Sequence, residues 1–139
     1  MSIDSILSDF QFLDDWEDRY RYVIELGREL PALSQAEKID ANKVRGCASQ
    51  VWLVTEKIIP TDQGSEPVLK FRGESDAHIV QGLIAILLAI YNGKKAKEIL
   101  MIDTESVFAK LGLTDHLTPQ RSNGLKSMIN RIRDEASAA

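Results

Sequence analysis

The chain is expected to fold as α+β, with a small three-stranded antiparallel sheet packed with helices. Three observations carry this expectation. Apolar residues recur at helical spacing near both ends of the chain. The period changes to that of strands in the middle. A nearly all-apolar run at 79–91 then follows the strands, as a single buried helix would.

The first element is a short helix at 4–12 that carries Ile6, Leu7 and Phe10. A second helix follows, with Asp14 as its N-cap and Glu17 three residues on, a loose capping-box pattern. Trp16, Tyr20, Val23, Gly27 and Leu30 fall on one face of it. Pro31 stops it, because the residue before a proline avoids the helical region. Residues 32–42 are mixed and polar, with room for a single turn at 34–38.

Residues 50–59 are rich in Val, Ile, Thr and Trp and read as a strand. The segment PTDQGSEP at 60–67 reads as a turn, with Pro60, Asp62 and Gly64 supplying its chemistry. Residues 68–72 alternate and form the partner strand, and Val44 starts a short third strand before the cysteine. Gly73 closes the hairpin, and Ser75 or Asp76 caps a central buried helix at 77–91. Asn92-Gly93 ends that helix. A short helix at 105–111 ends at Gly112. Thr118-Pro119 opens the last helix, whose apolar face is Leu125, Met128, Ile129 and Ile132. The tail EASAA is expected to fray. No repeat and no second domain is visible, so residues 1–139 read as one domain.

Composition narrows the function. The chain is 44% hydrophobic and 27% charged, which argues against disorder and fibrous classes. Its net charge is −4 and its Lys and Arg residues are scattered, so nucleic acid is a poor partner. The N-terminal MSIDSILSDF has early acids and no basic region, unlike a signal peptide. The apolar run at 79–91 is too short to span a bilayer. A single cysteine cannot form an internal disulfide, and a reducing compartment suits it. These readings lead to the expectation of a cytoplasmic protein without membrane contact.

That one thiol, Cys47, lies in VRGCASQVW at 44–52. Free cysteines are most often small buried hydrophobes. Here Gly46 lets the backbone bend, Ala48 and Ser49 leave room around the sulfur, and the loop lies between two extended segments. Arg45 is adjacent and would favour a thiolate if it pointed the same way. One thiol cannot hold an iron–sulfur cluster or a structural zinc alone, since those sites need several Cys or His ligands. His78 and His116 each read more simply as packed or surface residues. A Cys–His nucleophile pair stays open, without a motif around Cys47 to support it. An accessible thiolate can instead attack a sulfur and hold it as a persulfide, with the other cysteine on a partner.

Arg121 stands out in HLTPQRSNGL at 116–125. It sits in the first turn of a helix, where a cation opposes the dipole. Such a placement suits pairing with a carboxylate or a partner; the plainer reading is a solvated arginine. The acid-rich first 30 residues read as a solvated face, and Trp16 and Tyr20 as core.

GCASQVW at 46–52, GESDAHIVQGLIA at 73–85, HLTPQRSNGL at 116–125 and WEDRYRYVIELGRELP at 16–31 together resemble the SufE family of sulfur acceptors. The resemblance runs from about Phe10 to Ile132. It implies an α+β fold related to that of the IscU-type cluster scaffolds. Those scaffolds bring three cysteines to a cluster, and this chain has one. It implies that Cys47 takes persulfide sulfur from a pyridoxal-phosphate-dependent cysteine desulfurase, stimulates that enzyme, and passes the sulfur to a SufBCD-type scaffold that builds iron–sulfur clusters. The chain would need no cofactor or metal of its own and would be a transfer partner rather than an enzyme. Arg121 and Asp76 match positions near the cysteine loop, and Gly46 precedes the thiol. The resemblance leaves open whether the desulfurase is SufS-type or CsdA-type, the latter served by a paralogue. A cluster scaffold or metal protein of IscU-like fold is the alternative of a different class. In the free protein Cys47 is expected to turn inward, toward an apolar pocket near Val51 and the central helix.

Overall fold

The computed structural model describes residues 2–59 and 66–139. Its organising element is α3 (His78–Tyr91), in which Leu83, Ile84, Ile86, Leu87 and Tyr91 are all fully buried. A helix apolar on nearly every side is stable in water only if other elements cover every side. One side of α3 is covered by the sheet and another by α2 (Trp16–Arg28). Among the described residues the architecture is six α-helices and a three-stranded antiparallel sheet, the expected α+β fold.

The sheet has the order β1 (Val51–Ile58), β2 (Val68–Ser75), β3 (Lys94–Lys95). Val51 and Leu53 on β1 and Leu69, Phe71 and Gly73 on β2 are buried at every second position, as a half-covered sheet requires. The register pairs Val51 with Ser75 and Ile58 with Val68. The turn expected at 60–67 falls largely outside the described residues. Gly73 does not close the hairpin; it lies within β2 opposite Leu53. A Cβ there would stand 2.8 Å from Ile84 Cγ2, so glycine is what lets α3 lie close against the sheet. The third strand is also not where the sequence puts it. Val44 makes one hydrogen bond to Val51 O (2.8 Å) beside an isolated bridge between Lys43 and Trp52, and β3 comes instead from Lys94–Lys95. A pair of lysines carries no strand pattern, and it pairs because α3 delivers it to the edge of β2. Asn92 fixes that exit: it ends α3, and its side chain accepts from Phe71 N (2.7 Å) and donates to Phe71 O (3.3 Å).

The other elements follow local rules. α1 (Ile3–Gln11) is capped by Ser2. α2 is capped by Asp15, not Asp14; its carboxylate accepts from Asp18 N at 2.8 Å. Residues 34–38 form the expected turn, closed by Glu37 on Ser34 N (3.0 Å). That segment is fastened to the sheet by ion pairs of Glu37 with Arg72 and Lys38 with Glu74. The Arg72 guanidinium and Ser34 N hold the Glu37 carboxyl down at about 2. Neither Ser75 nor Asp76 caps α3: Ser75 Oγ accepts from Ala77 N (3.2 Å), and Asp76 Oδ1 accepts from Gln50 N (3.0 Å) across the sheet end. α4 (Ala96–Met101) is an element that no sequence pattern announced, while α5 (Thr104–Leu111) ends at Gly112 as expected. α6 (Pro119–Ala138) starts from the Thr118 cap. Its tail does not fray: the helix runs to Ala138 and Ala136 is buried, because α4 packs along it.

Candidate functional site

The loop between Val44 and Val51 is pinched at its base by the Val44–Val51 hydrogen bond. Its second foot is held by Asp76, whose Oδ1 accepts from Gln50 N at 3.0 Å and whose own N–H donates to Gln50 O at 3.3 Å. Inside the loop Gly46 adopts a φ of 90°, a left-handed conformation that side chains disfavour. It is also crowded: a Cβ there would stand 2.5 Å from Ser127 Oγ on α6. The bend at Gly46 turns Cys47 down onto the same helix. The thiol is half-buried and donates to Gly124 O, with a sulfur–oxygen distance of 3.5 Å.

Cys47 opens onto a cavity of about 250 Å³. Buried Val80 and Leu83 from α3 and Gly124 and Met128 from α6 form its floor. Exposed Ala48, Thr118, Gln120 and Arg121 stand around it. Cys47 therefore turns inward against the central helix, as expected, although Val51 is not part of the cavity lining. Cys47 and Arg121 are brought together here, whereas Gly46 bends the loop against Ser127 and Asp76 acts at its foot, and neither of these two lines the cavity. A larger cavity of about 420 Å³ lies between residues 29–31, β2 and α3, but no cysteine or histidine lines it.

The electrostatics keep the thiol quiet. Burial pushes the Cys47 thiol above its ordinary value, because a thiolate loses hydration in the cavity. Arg45 does not oppose this. It is exposed and lines a separate cleft with Ser127 and Asp134, so the activating role considered for it from sequence is not realised in this conformation. The rate of Cys47 alkylation by iodoacetamide should accordingly have its pH midpoint above that of a model thiol, and unfolding in urea should return it to about 8.5. Between those two values the unfolded chain has lost its thiol proton and the folded chain keeps it, so stability falls as pH rises through that window. A folded-state midpoint at or below the model value would contradict the burial seen here.

α6 is the bed of this site, and α2 places it. Tyr20 Oη donates to His116 O, and Trp16 stacks on the His116 ring at 3.6 Å between centroids, just ahead of the Thr118 cap. Trp16 and Tyr20 are thus half-buried against the core, as expected, and also anchor the start of α6. Gly124, Ser127, Met128 and Arg131 did not stand out as site residues in the sequence. A glycine inside a helical pattern, as at Gly124, is the one signal that marks a close backbone approach in advance. Among the described residues no group of three or more His, Cys, Asp or Glu side chains is arranged to hold a metal ion. No helix described is long and apolar enough to cross a membrane.

These features describe a small α+β protein that carries a single sheltered thiol on a loop pinned between sheet and helix. Residues 4–136 match the family model of the SufE Fe-S metabolism associated domain, and the chain belongs to the SufE family. It is 58% identical over 135 residues to an uncharacterized SufE-like protein of Rhizobium meliloti (strain 1021), covering 97% of this chain and 94% of that protein. It is 57% identical over 135 residues to a second such protein from Rhizobium etli, covering 97% and 89%. A solution structure of a hypothetical protein from Thermus thermophilus superimposes with a TM-score of 0.72 at 17% identity, over 100% of this chain and 98% of the other, a likeness of fold. Family membership supports a sulfur-transfer role in iron–sulfur metabolism and implies interaction with a cysteine desulfurase.

Proposed function

We propose that this protein is a sulfur acceptor that takes sulfane sulfur from a cysteine desulfurase onto Cys47 and passes it to an iron–sulfur scaffold of the SufBCD type. The observation that carries the reading is the half-buried thiol on a two-footed loop above an apolar-floored cavity. In the transfer, Cys47 loses its proton and the thiolate attacks the terminal sulfur of the partner's persulfide. The new bond joins that sulfur to Cys47, the partner's sulfur–sulfur bond breaks, and the partner's cysteine leaves as a thiolate. No external oxidant or reductant is needed, because one sulfane sulfur changes hands. The elevated thiol value means that the free protein is poorly reactive. Docking that draws Cys47 out toward the exposed cations restores the thiolate. Returned to the cavity, the persulfide is shielded from small reductants by Val80, Leu83 and Met128.

The test is intact-mass spectrometry after incubation with a SufS-type desulfurase and free cysteine, without added reductant. A gain of one sulfur, reversed by a thiol reductant, supports the reading. No gain with either a SufS-type or a CsdA-type desulfurase, each shown to be active, defeats it. Arg121 lines the cavity from the exposed first turn of α6 and is suited to meet a partner carboxylate or the incoming sulfur anion. Arg121→Ala should slow sulfur uptake about tenfold and change stability by less than about 1 kcal/mol. Single-turnover transfer at the wild-type rate would remove Arg121 from the site.

A further inference from the structure

We infer that Arg131 is a positioning residue for Cys47, fastening the segment that carries the thiol onto α6 so that the sulfur stays in its cavity. The inference gives Arg131 its purpose through the sulfur-acceptor reading, but the fastening can be tested without any partner.

Gly124, Ser127 and Arg131 are spaced three and four residues apart and share one face of α6. The incoming segment runs down that face in the opposite direction. Cys47 lies on Gly124, and Gly46 abuts Ser127. Arg131 donates from Nη2 to Ala41 O at 2.7 Å and from Nη1 to Lys43 O at 3.2 Å. A third N–H, on Nε, donates to Glu135 Oε1 at 3.0 Å, one turn further along α6.

The three contacts differ in strength. A thiol is a weak donor, and 3.5 Å to Gly124 O is a loose contact. Gly46 against Ser127 is a matter of shape. The two Arg131 bonds are charge-assisted, the one to Lys43 O is partly buried and the shorter one to Ala41 O lies at the surface. The firmest grip on the segment is therefore at the end remote from the sulfur. The other supports, Val44 to Val51 and Gln50 to Asp76, tie the feet of the loop to each other and to the sheet side. They do not tie it to α6. With Arg131 gone, the loop keeps its feet, and only the loose thiol contact and the fit of Gly46 on Ser127 hold it on α6. Lysine cannot substitute, because a single ammonium does not reproduce a planar fork spanning two carbonyls.

The experiment uses Arg131→Lys and Arg131→Ala in the full chain. Iodoacetamide alkylation of Cys47 is followed by intact mass across pH, with urea unfolding of each variant measured alongside. Both variants should alkylate about tenfold faster than wild type at the same pH, and the midpoint of the rate–pH curve should fall toward the ordinary thiol value. Wild-type rates and midpoint in Arg131→Lys overturn the inference even if Arg131→Ala does not fold. An increase fully accounted for by loss of global stability, with the midpoint unmoved, also overturns it, since that is a merely structural role. Failure of sulfur transfer from a desulfurase would defeat the acceptor reading and leave these alkylation results standing.

Discussion

Replacing Cys47 by serine is expected to abolish sulfur acceptance and to leave the fold almost unchanged. The loss follows from chemistry: a serine hydroxyl neither ionises near neutral pH nor forms a persulfide, and the chain contains no other cysteine to stand in. The tolerance follows from the site. The residue is half-buried, its thiol makes one loose contact to Gly124 O, and a serine hydroxyl can donate to the same carbonyl. The cost in stability should stay within about 1 kcal/mol. Two readings on one sample decide it. The mass spectrum of Cys47→Ser after exposure to desulfurase and cysteine should show no added sulfur, and its thermal midpoint should lie within a few degrees of wild type. Serine protein that still gained sulfur would show that the mass increase reports something other than Cys47. A large fall in midpoint would show that the thiol is chiefly a packing element.

Gly82→Ala should have the largest effect on stability. Gly82 on α3 faces Gly27 on α2. A Cβ on Gly82 would stand 2.2 Å from Val23 O and 2.5 Å from Val23 Cγ1, and a Cβ on Gly27 would stand 2.6 Å from Gly82 N. Backbone cannot yield as the end of a flexible side chain can, so the two helices must part. Overpacking of this kind costs about 3 kcal/mol. For a domain of this length that lowers the melting midpoint by about 10 °C. Gly93→Ala is the control. Gly93 also has a positive φ, 78°, but a Cβ there meets nothing within 4 Å, so only backbone strain of about 1 kcal/mol is added. The Gly82 effect should reach the site as well. α2 carries Trp16 and Tyr20, which hold His116 and so the start of α6, the bed of the cysteine loop. Displacing α2 should therefore make Cys47 more readily alkylated. A Gly82→Ala protein melting with wild type would mean that the helices do not approach as closely as the contact distances require.

Much of this molecule is legible along the chain because local rules govern it. Pro31 and Gly112 end helices, Thr118-Pro119 starts one, and Val51, Leu53, Leu69 and Phe71 alternate as a half-covered sheet demands. The resemblance of GCASQVW and HLTPQRSNGL to the SufE family agrees with the family match over residues 4–136. The misreadings share a cause. Gly73 reads as a turn, Val44 as a strand, the lysine pair at 94–95 as nothing, and the C-terminal tail as frayed. In each case a partner distant in sequence decides the conformation: Ile84 over Gly73, β2 beside Lys94, α4 along the tail.

The site divides in the same way. Residue types and their immediate neighbours are enough to establish one thiol, a glycine and small residues flanking it, and an arginine in the first turn of the last helix. The rest comes from the folded chain. There α3 and α6 floor a cavity beneath the sulfur, Asp76 serves the loop's foot rather than the cavity, Arg45 points elsewhere, and Arg131 grips the segment 41–43. A thiol's reactivity depends on what removes water from it and which charges face it. Here the residues responsible lie far along the chain, from Val80 to Met128, where no local pattern points back to Cys47.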